Sequence, residues 1–304
     1  MTKPCRRTLL WAGLFLYTAA LSAQDAALSV APEEAQGGAK PAAAANETAD
    51  LAKATQNPVA SLISVPFQNN TNFGVGPYNR TQDVLNVQPV IPVRLSEQWM
   101  LISRTIQPIV WQPAPAANAG GQYGFGDMNP TLFLSPAKPG KLIWGFGPAI
   151  VLPTATSTAL GQGKLSFGPS AVGLVQPGHW TIGALVNNVF SVAGSPHRPY
   201  VNQMLLQYFI TYNLKKGWNL NTGPIITANW RSKGSGEAST GNDTTGGSVW
   251  TVPLGGGVGR VMRLGYQPVN LSVNFYGNAV HPPGASSWGM RIQIALLYPK
   301  RPKA

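Results

Sequence analysis

From residue 61 to the C-terminus, apolar and polar residues alternate with a period of two, in segments that recur about every 20 residues. In 270–278, Leu271, Val273 and Phe275 alternate with Asn270, Ser272, Asn274 and Asn278. In 218–230, Trp218, Leu220, Ile226, Ala228 and Trp230 share one face, and Asn219, Asn221, Thr227 and Asn229 the other. In 202–214, Met204, Leu206, Tyr208, Ile210 and Tyr212 oppose Gln203, Gln207, Thr211 and Asn213. In 288–298, Trp288, Met290, Ile292, Ile294, Leu296 and Tyr298 form one row. Alternation sustained this long marks half-buried strands. It predicts twelve: 61–73, 81–93, 98–110, 124–135, 141–153, 164–176, 179–191, 200–214, 217–230, 249–262, 268–279 and 286–298.

These segments are longer than the roughly 5–6 residues typical of soluble sheets, and their number is even, as in bacterial single-chain outer-membrane barrels. The predicted connections alternate in length, every odd-numbered one being longer than its even-numbered neighbours. The short ones carry turn chemistry, as in Pro177-Gly178 and Lys215-Lys216-Gly217. Short turns at one end and long loops at the other are the pattern of membrane barrels. Trp99, Trp144, Trp180 and Trp218 follow short turns, while Trp230, Trp250 and Trp288 lie beside long loops. Two aromatic girdles are therefore expected, because indole rings prefer the membrane–water interface. The predicted fold is all-β: an antiparallel, up-and-down transmembrane β-barrel of twelve strands, formed by residues 58–304.

The N-terminus reads as an export signal. Lys3, Arg6 and Arg7 precede the apolar stretch 8–21, and the small residues Ser22 and Ala23 follow. Residues 1–23 are thus predicted to be a signal peptide that directs the chain to the cell outer membrane of a Gram-negative bacterium. Residues 24–57 lack aromatic residues and begin with an Ala-, Gly- and Pro-rich run, which reads as a periplasmic linker or a short plug segment. Within it, 44–56 could form about three helical turns, ended by Asn57-Pro58.

Composition narrows the function. Charged residues make up only 11% of the 304 residues, against roughly 25% in ordinary soluble domains. Beyond the signal there is no apolar run long enough for a membrane-crossing helix. The net charge is +12, but the basic residues are scattered singly, which argues against nucleic acid as a partner. Cys5, the one cysteine, lies within the signal, so disulfides and thiolate chemistry are not expected. Catalysis is not expected either. His179 is expected at the periplasmic end and His197 and His281 on outer loops, no G-x-S-x-G occurs, and no cluster has metal-ligand spacing. Neither metal nor cofactor is expected.

The polar face gives the candidate lumen lining: Asn86, Gln88, Arg104, Asp127, Asn129, Gln203, Gln207, Asn219, Asn221, Asn274, Arg291 and Gln293. The mid-strand charges Arg104, Arg260 and Arg291 are expected to face inward, because a midplane charge on the lipid face costs about 2–4 kcal/mol.

Several segments carry a family resemblance. They are 57–70, which reads NPVASLISVPFQNN, followed by Asn72-Phe73-Gly74; 86–92, NVQPVIP; 99–105, WMLISRT; and Gly124-Phe125-Gly126-Asp127. The chain resembles the bacterial outer-membrane family named for the meta-pathway of phenol degradation, whose members are often labelled transporters or neuromedin U. The resemblance runs from about residue 50 to the end and supplies no catalytic residues. It implies a porin-like channel or transporter for small hydrophobic or aromatic compounds. The alternative is a structural or interaction barrel that conducts nothing and acts through its outer loops. Expected partners are outer-membrane lipids, the barrel-assembly machinery during biogenesis, and a small hydrophobic or aromatic solute.

Overall fold

The computed structural model describes residues 50–231 and 249–299. The predicted signal peptide, most of segment 24–57 and most of the Gly-, Ser- and Thr-rich loop 231–248 lie outside the described residues. The described chain forms twelve strands. They are β1 (Ile63–Val75), β2 (Arg80–Val87 and Val90–Arg94), β3 (Trp99–Gln112), β4 (Gln122–Phe125 and Asn129–Pro136), β5 (Leu142–Val151) and β6 (Lys164–Val175). Then follow β7 (Trp180–Gly194), β8 (Asn202–Asn213), β9 (Trp218–Thr222 and Ile225–Asn229), β10 (Trp250–Leu264), β11 (Gln267–Val280) and β12 (Trp288–Tyr298).

Each strand pairs antiparallel with its sequence neighbours, and β12 returns to β1 in register from Ile63–Tyr298 to Phe73–Trp288. The sheet is therefore a closed twelve-stranded barrel without an unpaired edge. Closure matters because a backbone amide in hydrocarbon has no water to bond.

Three strands are interrupted, at 88–89, 126–128 and 223–224. Two of the breaks contain Pro89 and Pro224, which have no N–H to give to the ladder. One expectation about the connections also changes. The first, 76–79, is no longer than the second, 95–98. The later alternation is kept, with 152–163 between the short turns 137–141 and 176–179. The ends are called here the turn end and the loop end.

Pairing fixes which side chains face outward. Phe67, Leu134, Phe146, Phe190, Leu220, Phe275 and Ile292 are exposed on the outside, whereas Asn219 and Asn274 are buried within. Gly257 of β10 is required by close approach, since a Cβ there would overlap the Val273 carbonyl of β11. Trp99 and Trp144 meet edge to face at 6.1 Å and Trp180 tilts against Tyr212 at 4.7 Å, both at the turn end. At the loop end Trp230 meets Trp250 edge to face at 5.4 Å, and Phe73 stacks on Trp288 at 4.1 Å. Trp218 stands outward beside Arg260.

Arg260 corrects an expectation. It pairs with Trp218 in the β9–β10 ladder and so shares its outward face. Its guanidinium carbon lies 5.0 Å from the Trp218 ring centroid. The midplane penalty does not apply at this depth. The guanidinium takes a cation–π contact with Trp218, one of the girdle residues.

The face assignment has a direct test. Leu206→Arg and Ile292→Arg each place a charge on the outward face at a cost of about 2–4 kcal/mol near the bilayer midplane. Both variants should assemble poorly, measured as loss of the fast-migrating folded band on unheated gels. Asn221→Arg, facing the lumen, should assemble closer to the parent protein. Equal assembly of all three would mean that the register is displaced by one residue.

Candidate functional site: the barrel lumen

The turn end of the lumen is occupied by the chain that precedes β1. Residues 50–55 are helical and the turn at Asn57-Pro58 ends the helix. The Asn57 side-chain oxygen accepts the Val59 N–H at 3.0 Å, which fixes the turn. Leu51 and Ala52 pack with Leu62 and with the inward Val261, Ala295 and Leu297 of β10 and β12. Val59 packs against Val90, Met100, Ile102, Phe133, Val172, Leu174 and Leu185. Polar ties hold the segment as well. Gln56 donates to Asn213 Oδ1 at 2.7 Å, and its own Oε1 accepts from Thr181 Oγ1 at 2.7 Å and Asn213 Nδ2 at 3.1 Å. Gln176 Nε2 donates to the Lys53 carbonyl at 2.8 Å. Of the predicted helix 44–56, residues 44–49 lie outside the described residues.

Above this segment the lumen holds several chambers, two of which carry the residues picked from the polar face. The inner one, about 220 Å³, is lined by Gln88, Gln207, Asn219, Asn221, Asn274, Arg291 and Gln293 among others. The outer one, about 410 Å³, is lined by Asn86, Asp127, Asn129 and Gln203. Arg104 lines both. All twelve residues picked from the polar face thus border one chamber or both. The sequence pattern did not single out the apolar share of the outer wall: Val84, Ile106, Val110, Val151, Leu160 and Val189. On β3 the inward row includes Met100, Ile102, Ile106 and Val110, while Ser103, Thr105 and Gln107 point the other way. Periodicity gives the two faces of such a strand but not which one is inside.

Three asparagines in the inner chamber bond one another. Asn274 Nδ2 donates to Asn221 Oδ1 at 2.6 Å, and Asn221 Nδ2 donates to Asn219 Oδ1 at 2.8 Å. The break at Gly223-Pro224 leaves backbone groups without ladder partners, and two side chains reach across the lumen to them. Arg291 Nη1 donates to the Gly223 carbonyl at 2.8 Å, and the Gly223 N–H donates to Tyr276 Oη at 3.2 Å. Arg291 also donates to Asn70 Oδ1 at 3.0 Å and lies 4.9 Å from the Tyr276 ring centroid. This brace explains an arginine in a chamber that offers it no carboxylate.

The loop end is covered in part by connection 152–163, from which Ala159, Leu160, Gly161 and Gln162 line the outer chamber. Asp127, at the break in β4, accepts the backbone N–H of Ala155 at 3.1 Å and of Gln162 at 2.5 Å. Arg198, in the next long loop, donates to the carbonyls of Gly161, Gln162 and Thr158. Gln162 Nε2 reaches Gln203 Oε1 at 3.0 Å. Asp127 is therefore an anchor for the loop, with both carboxylate oxygens engaged. Arg198 carries no signal in the sequence, since only the folded loop shows which carbonyls it gathers.

Among the described residues no group of three or more His, Cys, Asp or Glu could hold a metal ion. Among the described residues the chambers are lined by neutral amides, the guanidinium groups of Arg104 and Arg291, the Asp127 carboxylate and apolar side chains.

No protein-family model matches the chain, and no curated protein matches it. Solved structures do. The chain is similar to an outer membrane channel from Pseudomonas putida F1, with a TM-score of 0.55 and 12% identity, over 78% of this chain and 94% of the other. It also aligns with the outer membrane phospholipase A of Escherichia coli, with a TM-score of 0.38 and 13% identity, over 77% and 92% of the two chains. At these identities the likeness to the channel is one of fold.

Gln56→Leu tests how the inner segment is held. The substitution removes the acceptor of the Thr181 hydroxyl and the donor to Asn213 Oδ1, a cost of about 1–3 kcal/mol for buried polar groups. Limited trypsin digestion of the folded protein should then cleave after Lys53 about tenfold faster or more, because cleavage follows the population of the released segment. An unchanged rate would show that the apolar contacts of Leu51 and Val59 suffice.

Proposed function

We propose that the protein is an outer-membrane channel for small hydrophobic or aromatic compounds, and not an enzyme. The observation that carries this reading is the interior itself. It encloses two chambers that share Arg104, with walls that mix neutral amides and aliphatic side chains. A general porin has a wide, water-filled and polar lumen, and a small barrel has an interior filled by side chains. This lumen lies between the two. Neutral amides can hydrogen-bond a phenol-like solute while Leu205 and Phe209 give it apolar contact. The resemblance of 57–127 to the phenol-degradation family agrees with that class of solute. In this reading the outward face meets outer-membrane lipid after insertion by the barrel-assembly machinery.

One observation favours the alternative, a barrel that conducts nothing. Residues 50–62 and connection 152–163 cover the chambers at opposite ends. Two measurements separate the readings. Proteoliposomes holding the folded protein should take up radiolabelled phenol-like solutes faster than empty liposomes, and planar bilayers should show only small ion currents. Large currents without solute preference would indicate a general porin. Absence of both fluxes would favour the non-conducting barrel. Recovery from cells as a soluble periplasmic protein would remove both readings.

A further inference from the structure

We infer that Arg104 is a binding site for the carboxylate of a singly charged, amphiphilic solute whose apolar body lies in the outer chamber. The inference rests on the channel reading for its biological setting, but the site stands on its own geometry. Arg104 projects from the middle of β3 at the boundary of the two chambers and lines both. Among the described residues its hydrogen-bond acceptor is Gln88 Oε1, at 2.9 Å from Nη2. A guanidinium has five N–H donors in a planar fork, which matches a carboxylate in bidentate fashion. Most of that fork is still open to a ligand.

Among the described residues, the other charged side chains that line the two chambers are already committed. Arg291 is bonded to Gly223 and Asn70 and lies against Tyr276, so it braces the wall. Asp127 lines the outer chamber, but both of its oxygens accept backbone N–H groups of the covering loop. Among the described residues no other carboxylate lines either chamber. A cation held away from bulk water without a counter-charge favours an anion that can bring one.

The surroundings select the rest of the ligand. The outer chamber that Arg104 enters has a volume of about 410 Å³, within the size range of small-molecule pockets. Ile106, Val110, Val151, Leu160, Val189 and Leu205 border it. A hydrophilic anion such as chloride would leave this apolar wall without contact. A dianion would bring one charge more than Arg104 can neutralise. A monocarboxylate with an aromatic or short aliphatic body satisfies both ends of the chamber, with the head on the guanidinium and the body toward the loop end.

Equilibrium dialysis of the purified, folded full chain with radiolabelled benzoate tests the site, with benzamide as its neutral isostere. Benzoate should bind about tenfold more tightly than benzamide or better, the difference expected of a charge-assisted fork. Arg104→Gln should remove that preference and Arg104→Lys should restore part of it. Asp83 pairs with Thr71 and the exposed Trp111 on the outward face, where it accepts from Asn69 and Thr71, so Asp83→Asn should leave the preference unchanged. Folding of each variant is checked by its heat-dependent gel mobility. Octanoate should compete with benzoate, while chloride at equal concentration should not. Equal binding of benzoate and benzamide, an Arg104→Gln variant that keeps the preference, or equal competition by chloride would each overturn the assignment. Flux of neutral phenols in the same preparation separates this outcome from the channel reading. Phenol uptake without benzoate preference removes only the carboxylate site. Benzoate binding without any solute flux removes only the channel.

Discussion

Everything in this structure depends on backbone closure. A chain that crosses lipid as strands must return every N–H and C=O to a neighbouring strand, and here β12 does so by pairing back onto β1 from Tyr298 to Trp288. Once the wall is closed, side chains have only two environments. The period-two alternation then separates a row for hydrocarbon from a row for the lumen. The arginines stand where a backbone or interfacial need is met. Arg291 and Tyr276 reach across to a strand broken by Pro224. Arg260 turns outward at a depth where Trp218 can receive it.

The lumen follows from the same separation. Inward polar groups that face one another bond each other, and the Asn219, Asn221 and Asn274 chain does this through side-chain amides and the Asn221 carbonyl. Such a network needs no charge, which accounts for an interior so poor in acidic groups. Where the inward row is apolar, as at Met100, Ile102 and Phe133, it receives Val59 from the segment before β1. The inserted chain thus meets both kinds of wall, packing Val59 on the apolar side chains and bonding Gln56 to Thr181 and Asn213.

Much of this was legible in the sequence. All twelve strands stand within a few residues of their predicted bounds, because long dyads such as 218–230 and 288–298 admit no other regular structure. The polar candidates came from the same pattern and border the chambers for the same reason. Three things were hidden. On β3, Ser103, Thr105 and Gln107 point outward while Ile102 and Ile106 point inward, so polarity there misleads about which face is inside. Arg260 follows the alternation rule but not the charge rule, since depth in the membrane does not show in the spacing of residues. The loop anchored by Asp127 and Arg198 depends on contacts between distant parts of the chain, Arg198 meeting Gly161 from 37 residues away. No local pattern encodes such a contact.

The covalent continuity between residues 50–62 and β1 has a consequence for the order of events in biogenesis. β1 is one half of the closing seam, and its partner β12 is the last strand to be made. The seam therefore joins residues at opposite ends of the barrel sequence, the slowest kind of contact to form. The segment that ends up inside the lumen is attached directly to the strand that completes the wall. If the wall closed first, a helix and its turn would have to thread into a finished cylinder past Gln176 and Asn213. Placing the segment while the β1–β12 edge is still open avoids that barrier. The last pairing step then shuts the segment in.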